Sequence, residues 1–230
     1  MPVYKTQPIF DKTVWGRGFL SQYKNNLDSS IGTIWEISFH EYGSNAIESE
    51  NITLSELVNK NPSMLGVTPK EEFLRIAYLD AKDNLSIQLH PTKEYAEKHL
   101  SDLGKYEAWY IIDAKPGASI VVGTTTSDVE LLKKAVLNET IEKYLNRVEV
   151  QTNDFVYIPA GLVHALGKDI LAIEVSTNSN TTYRFYDYGR KNRELHLEQS
   201  FDNLDTALHP IWSKVKEGDG TTTVISRLCC

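Results

Sequence analysis

With 230 residues, 41% of them hydrophobic and 24% charged, the chain can bury an ordinary core, and its composition is that of neither a disordered nor a membrane-spanning protein. A soluble globular protein is expected. Its 24 Lys and Arg against 31 Asp and Glu give a net charge of −7, which argues against nucleic-acid and membrane partners. The only cysteines, Cys229 and Cys230, are adjacent and terminal, so they form neither a disulfide framework nor a thiolate zinc site, and any metal must use nitrogen and oxygen ligands. The opening Met1-Pro-Val-Tyr-Lys-Thr-Gln-Pro8 lacks the build of a signal peptide and the tail does not fit a prenylation box, which predicts a cytoplasmic location. The sequons at Asn51, Asn138 and Asn180 are then chance matches.

No repeat or low-complexity tract interrupts the chain, and nothing marks a domain boundary before about residue 200. A strand-like run is predicted over residues 32–39 and a short helix over 55–59, which Pro62 keeps from continuing. Residues 74–79 read as a buried strand, 80–84 as a turn, and 85–90 as a strand of strict period two that Pro91 ends; a helix follows over 92–100. Six more strands, rich in β-branched and aromatic residues, are predicted over 106–112, 119–122, 155–158, 162–166, 170–176 and 181–188, with turns at Lys115-Pro-Gly117 and Pro159-Ala-Gly161. One helical interruption is predicted over 128–146, with Val129, Leu132, Val136, Ile141 and Leu145 roughly sharing a face, and a last helix over 193–208. Many short strands with a single helical insertion predict a mainly β sandwich or barrel, not alternating β/α units. Glycine-rich phosphate loops are absent.

Alternation over residues 85–90 puts Leu85, Ile87 and Leu89 on one face and Ser86, Gln88 and His90 on the other, a polar face that either meets solvent or lines a cavity. In Phe155-Val-Tyr-Ile-Pro-Ala-Gly-Leu-Val-His164 a histidine follows a rigid turn by three residues, as a metal ligand requires, although a hydrogen-bonded core histidine has the same signature. Lys105 and Glu107 project from one strand face, where a cross-strand surface ion pair is the alternative. Together Gln88, His90, Glu107 and His164 form a nitrogen and oxygen donor set on three strands, suited to Zn²⁺ or another first-row divalent ion, and a barrel interior is where they could converge. Glu174, Arg184 and Arg190 come later. An Arg inside a strand is costly unless it is paired or meets an anion, so Arg184, Arg190 and Lys105 predict a cationic pocket, with salt bridges to Glu174 or Asp187 as the alternative.

Four ordered motifs, Leu85-Ser-Ile-Gln-Leu-His-Pro91, Gly104-Lys-Tyr-Glu-Ala-Trp-Tyr110, Pro159-Ala-Gly-Leu-Val-His-Ala-Leu166 and Asn178-Ser-Asn-Thr-Thr-Tyr-Arg-Phe-Tyr-Asp-Tyr188, resemble the short bacterial form of the type I mannose-6-phosphate isomerases. Val14-Trp-Gly16, Trp35-Glu-Ile-Ser38 and Arg193-Glu-Leu-His-Leu-Glu198 extend the similarity, which runs from about residue 5 to about 200. The resemblance implies a cupin, jelly-roll-like β-barrel that holds one zinc ion and interconverts mannose 6-phosphate and fructose 6-phosphate. Carried over motif by motif, the zinc ligands are Gln88, His90, Glu107 and His164, the active-site arginine is Arg184, and the basic residue at the substrate phosphate is Arg190. Glu174, Lys105, Ser86, Trp15 and Glu36 also match pocket positions of the family; Glu174 is taken as the proton shuttle.

The chain departs from that family at Asn180, where Asp is usual, at Asn153, where Gly is usual, and at Ala77, where a lysine is common and Arg75 stands one strand period earlier. Short members continue into a second small β-domain, so residues 1–200 are expected to form the cupin domain, with its helical insertion at 128–146, and residues 201–230 the end of a helix and a remnant of the second domain. The Thr221-Thr-Thr-Val-Ile-Ser226 run resembles the entry to it, and a barrel with such an uncovered edge is expected to self-associate, with a homodimer as the form and a self-sealed monomer as the alternative. A non-catalytic sugar-phosphate-binding cupin and a metal cupin of other chemistry, such as oxygen activation, are the rival functions.

Overall fold

Short strands of alternating apolar residues, joined by tight turns, fold into two facing antiparallel sheets. The computed structural model describes residues 3–16, 20, 30–65 and 73–214. In chain order the elements are β1 (Ile9–Lys12), β2 (Ile31–Ile37), a ribbon of β3 (Phe39–His40) and β4 (Gly43–Ser44), α1 (Leu54–Lys60), β5 (Leu74–Ala81), β6 (Ile87–Leu89), α2 (Lys93–His99), β7 (Glu107–Ala114), β8 (Ser119–Thr124), α3 (Val129–Leu137), a 3₁₀ turn (Ile141–Tyr144), β9 (Leu145–Glu149), β10 (Asp154–Ile158), β11 (His164–Ala165), β12 (Ile170–Thr177), β13 (Tyr183–Tyr186), α4 (Leu197–Asn203) and β14 (Ile211–Lys214). One sheet has the order β1-β2-β5-β12-β7-β10-β14 and the other β13-β6-β11-β8-β9. No helix among the described residues is long and apolar enough to cross a membrane.

The inner core fills the space between the sheets with Leu79, Trp109, Ile111, Val156, Ile158 and Ile170 from one and Ile120 and Val122 from the other, joined by Leu162 and Leu166 on either side of β11. On the far side of the smaller sheet, Ile87, Leu89, Val121 and Phe185 pack against Leu132, Ala135 and Val136 of α3 and against Leu197 and Phe201 of α4. The larger sheet covers its own outer face around Ile34 and Leu171. Burying apolar residues on both faces of each sheet gives the two-layered sandwich its stability, at about 25 cal/mol per Å² of apolar surface. The polar residues Ser86, Gln88 and His90 therefore face inward.

Several elements differ from the sequence-based expectation. Residues 128–146 are not one helix: α3 stops after Leu137, Glu139 turns back with φ 54, and Leu145–Glu149 is a strand paired with β8. Leu132, Val136, Ile141 and Leu145 are all buried as expected, because a helix, a turn and a strand in succession happen to reproduce the helical spacing. The helix expected over 193–208 is confined to Leu197–Asn203; at its end Asn203 holds the backbone N–H of Thr92, and Asp205 N donates to Gly161 O. Leu85 precedes β6 and packs in the inner core, apart from Ile87 and Leu89. Strand β1 was not predicted, being an edge strand whose residues are mostly exposed. Asn153 occupies the left-handed region with φ 73, a conformation Asn adopts more easily than most residues, and it accepts a hydrogen bond from the Tyr110 hydroxyl. The 221–226 run lies outside the described residues.

Candidate active site

Between the sheets, His90, Glu107 and His164 bring one ligating atom each to within 4.8 Å of one another, all three buried. His90 follows β6, Glu107 opens β7 and His164 opens β11, so two residues come from one sheet and one from the other. The Pro159-Ala-Gly161 turn ties them together. Gly161 has φ 85, a Cβ there would meet Asn203 O at 2.8 Å, and its N–H donates to His90 O at 3.0 Å. The same turn thus anchors the end of β6 and leads directly into His164.

The protonation pattern of the trio is set from outside it. His90 Nδ1 lies 3.0 Å from Thr181 O and His164 Nδ1 lies 2.8 Å from Leu162 O; a carbonyl only accepts, so both rings carry the hydrogen on Nδ1 and present the Nε2 lone pair to the centre. His90 Nε2 is 3.1 Å from Glu107 Oε2 and His164 Nε2 is 3.2 Å from Glu107 Oε1. Two imidazole lone pairs facing two carboxylate oxygens repel unless a cation stands among them, and Glu107 Oε1 and His164 Nε2 are buried without a hydrogen-bond partner among the described residues. Burial, together with the nearby Lys105 charge, lowers the His90 pKa to about 4, which keeps the ring neutral as a metal ligand must be. Burial alone would raise Glu107, but its neighbours, the Lys105 ammonium foremost, outweigh it and hold the carboxyl well below its usual range. The donor set fits a divalent ion such as zinc. Gln88 stands beside it, directly opposite His164 in the β6–β11 pairing, with Oε1 accepting from the Ser86 hydroxyl at 3.2 Å.

Next to the trio lies a chamber of about 220 Å³, a size for a small molecule and not a polymer. Ser86, Gln88, Lys105, Trp109, Glu174, Arg184 and Trp15 line it, joined by Trp35, Arg75 and Arg193. Lys105 Nζ reaches Glu107 Oε2 at 2.8 Å and Glu174 Oε1 at 3.2 Å, and Ser176 Oγ donates to Glu174 Oε1 at 2.9 Å. Burial would lower the pKa of Lys105, but the two carboxylates raise it above its ordinary value, so it remains an ammonium. Arg184 sits opposite Gln88 in the β13–β6 pairing and donates from Nη1 to Glu194 O. A larger recess of about 310 Å³ beside His40 and Asp102 holds no comparable cluster of ligating groups, so size alone does not select the site.

Two expected residues are not brought to the chamber wall. Glu36 sits at the bulge where β2 loses register with β5, while its neighbours Thr33 and Trp35 do line the chamber. Arg190 donates to Asp187 Oδ1 at 2.9 Å and to Asn84 O at 2.7 Å; Arg193, three residues on, shares Asp187 and lines the chamber in its place. The salt-bridge alternative therefore holds for Arg190. Sequence reading missed Trp35, Arg193 and the exposed Asp11 as lining residues, and Asp102 as an anchor. Asp102 Oδ2 accepts from Thr181 Oγ1 at 2.7 Å, Asn180 N at 2.9 Å and Ser179 Oγ at 3.1 Å, clamping the loop whose Thr181 carbonyl orients His90.

The profile of phosphomannose isomerase type I, catalytic domain, matches residues 3–142. Mannose-6-phosphate isomerase ManA of Bacillus subtilis is 37% identical over 215 residues, which is 89% of this chain and 68% of that protein. The mannose-6-phosphate isomerase of Streptococcus mutans is 34% identical over 240 residues, 96% of this chain and 76% of that protein. The crystal structure of the mannose 6-phosphate isomerase from Bacillus subtilis superposes with a TM-score of 0.83 at 32% identity, covering 93% of this chain and 71% of that one.

Proposed function

The chain belongs to the type I phosphomannose isomerases and has their cupin barrel, and we propose that it interconverts mannose 6-phosphate and fructose 6-phosphate with one zinc ion per chain. The observation that carries this reading is the buried His90–Glu107–His164 trio, whose lone pairs and carboxylate converge on one point beside a chamber for a small polar molecule.

His90, Glu107 and His164 hold the metal, with Gln88 as the fourth ligand. When bound there, zinc would supply Lewis acidity toward the oxygens of the open-chain sugar. Isomerisation moves a proton between C2 and C1 through an enediol, so a base must stand beside those carbons. Glu174 takes that part: its carboxylate lines the chamber and is held by Lys105 and Ser176. Lys105 bridges Glu174 to Glu107 and so fixes the base relative to the metal ligands. Arg184 donates to the oxygen on which negative charge develops; its Nε is buried without an acceptor among the described residues. Trp15 and Ser86 complete the wall and keep water from the enediol, while Arg190 acts at one remove by sharing Asp187 with Arg193.

The departures that favoured a non-catalytic cupin are built into the site: Ala77 lines the chamber and Asn180 bonds both Arg75 and Asp102. A cytoplasmic homodimer is the further proposal, paired through β14, an edge strand among the described residues, whose Ile211 is exposed. The decisive experiment is turnover of mannose 6-phosphate by zinc-loaded protein and its loss on chelation. A fully zinc-occupied protein that yields no fructose 6-phosphate would overturn the isomerase reading.

A further inference from the structure

Arg75 sits on β5 with only 5% of its surface exposed, and it lines the chamber. Its side chain crosses the face of Trp35 at 4.6 Å from the ring centroid, in space left open because Ala77, opposite both Trp35 and Glu174 in the sheet, is small. One nitrogen, Nη1, donates to the Asn180 amide oxygen at 3.1 Å. The other two, Nε and Nη2, are buried with no hydrogen-bond partner among the described residues.

A guanidinium so placed costs a fold free energy unless something answers its charge and its free N–H groups. The other cations of the chamber are mostly answered. Lys105 has Glu107 and Glu174, and Arg193 has Asp187. Arg75 has neutral partners, an indole face and a carboxamide; the carboxylate nearest it in the sheet, Glu174, is already engaged by Lys105 and Ser176. Arg184 likewise donates to a backbone carbonyl and forms no ion pair with a described residue. Two arginines without a paired carboxylate therefore share one small chamber in a chain whose net charge is −7. A sugar hydroxyl could occupy an N–H group but would leave the charge answered only at a distance, by Glu174 and Asp102, whereas a phosphoryl group answers both directly, since its oxygens match the fork of a guanidinium.

We infer that Arg75, stacked on Trp35, is an anion-binding residue of the chamber, and that the phosphate of the sugar is the acceptor its Nε and Nη2 groups lack. This inference rests on the isomerase reading for the identity of the anion, and it moves the phosphate contact away from Arg190, which the structure commits to Asp187 and Asn84. Burial lowers the pKa of Arg75, outweighing the opposite pull of Glu174 and Asp102.

The test compares wild type, Arg75→Gln and Arg75→Lys, all zinc-loaded, for KM with mannose 6-phosphate and for binding of inorganic phosphate by calorimetry. Arg75→Gln should raise KM and weaken phosphate binding by roughly 10- to 100-fold with zinc content unchanged, as removal of charge-assisted bonds implies. Arg75→Lys should fall between, because it keeps the charge and loses the fork. Unchanged KM and phosphate affinity in Arg75→Gln would overturn the inference; should that variant fail to fold, wild-type values in Arg75→Lys would do the same. If the wild type does not isomerise the sugar phosphate at all, the isomerase reading fails by itself. Phosphate binding then decides for Arg75: lost in Arg75→Gln it supports the anion site, and equal in both proteins it overturns it.

Discussion

Lys105 Nζ stands 2.8 Å from Oε2 of Glu107, the same oxygen that His90 Nε2 approaches to 3.1 Å. One carboxylate oxygen is thus shared by a permanent cation and by a ring whose lone pair faces it. Lys105 supplies part of the positive charge that the buried carboxylates need, and a metal ion would supply the rest.

A stability prediction comes from that pairing. Lys105→Met should destabilise the metal-free protein by about 3–5 kcal/mol, the usual loss when one partner of a buried ion pair is removed. Zinc should recover much of it, because a cation bound by Glu107 replaces the lost ammonium. Urea denaturation with zinc and with chelator measures both; an equal loss under the two conditions would show that Lys105 and the metal do not share Glu107.

Metal content is the more direct check. A preformed site of nitrogen and oxygen donors binds a divalent ion tightly near neutral pH, so the purified protein should carry about one ion per chain. His164→Ala should empty the site by elemental analysis. Full occupancy in a His90→Ala, His164→Ala double variant would rule out the trio as the metal's ligands.

The parts of this site that were legible in the sequence are those set by strand alternation and turn chemistry. Ser86, Gln88 and His90 share a face because β6 has period two, and Pro159-Ala-Gly161 fixes His164 through a backbone conformation that glycine accepts readily. What alternation cannot show is which strands become neighbours. Trp35 and Arg75 meet because β2 and β5 are paired, and Arg193 reaches the chamber from the turn region after β13; neither follows from local pattern. Arg190 looked like the better anion contact from its position, but the Asp187 carboxylate captures it once the turn at Tyr188 and Gly189 closes, both with positive φ. The strand Leu145–Glu149 hid behind helical spacing because Ile141 and Leu145 bury in the same cluster that α3 does.

Arg184 should act on the rate more than on binding. It lies beside Gln88 across the β13–β6 pairing, and its Nε has no acceptor among the described residues. Arg184→Ala should lower kcat by about 10²- to 10³-fold, the range for losing one donor to developing negative charge, with a smaller change in KM. Steady-state kinetics at saturating mannose 6-phosphate separates the two; a variant in which only KM moves would make Arg184 a binding residue.

Asp102 lies outside the chamber, yet it should govern both acid stability and metal affinity. Burial pulls its pKa up, but the donors Thr181 Oγ1, Asn180 N and Leu103 N, with His40 nearby, outweigh burial and leave it below 3.8. A depressed carboxyl stabilises the fold above its unfolded pKa and loses that contribution as pH falls through the lower, folded value. Asp102→Asn should therefore be less stable than wild type near neutral pH by about 1.5–3 kcal/mol, the worth of hydrogen bonds to a charged group. The two proteins should begin to converge below about pH 4, where Asp102 of the unfolded chain takes up a proton, and should meet only as pH falls through the lower, folded value. The substituted amide would also face the Thr181 and Asn180 donors with its own N–H group, loosening the carbonyl that orients His90. Loss of such an outer-shell contact commonly costs roughly 10- to 100-fold in metal affinity, measurable by competition with a zinc chelator. Stability curves that stay parallel from pH 7 to pH 3 would refute the electrostatic part. An unchanged zinc affinity in the folded variant would refute the link through Thr181.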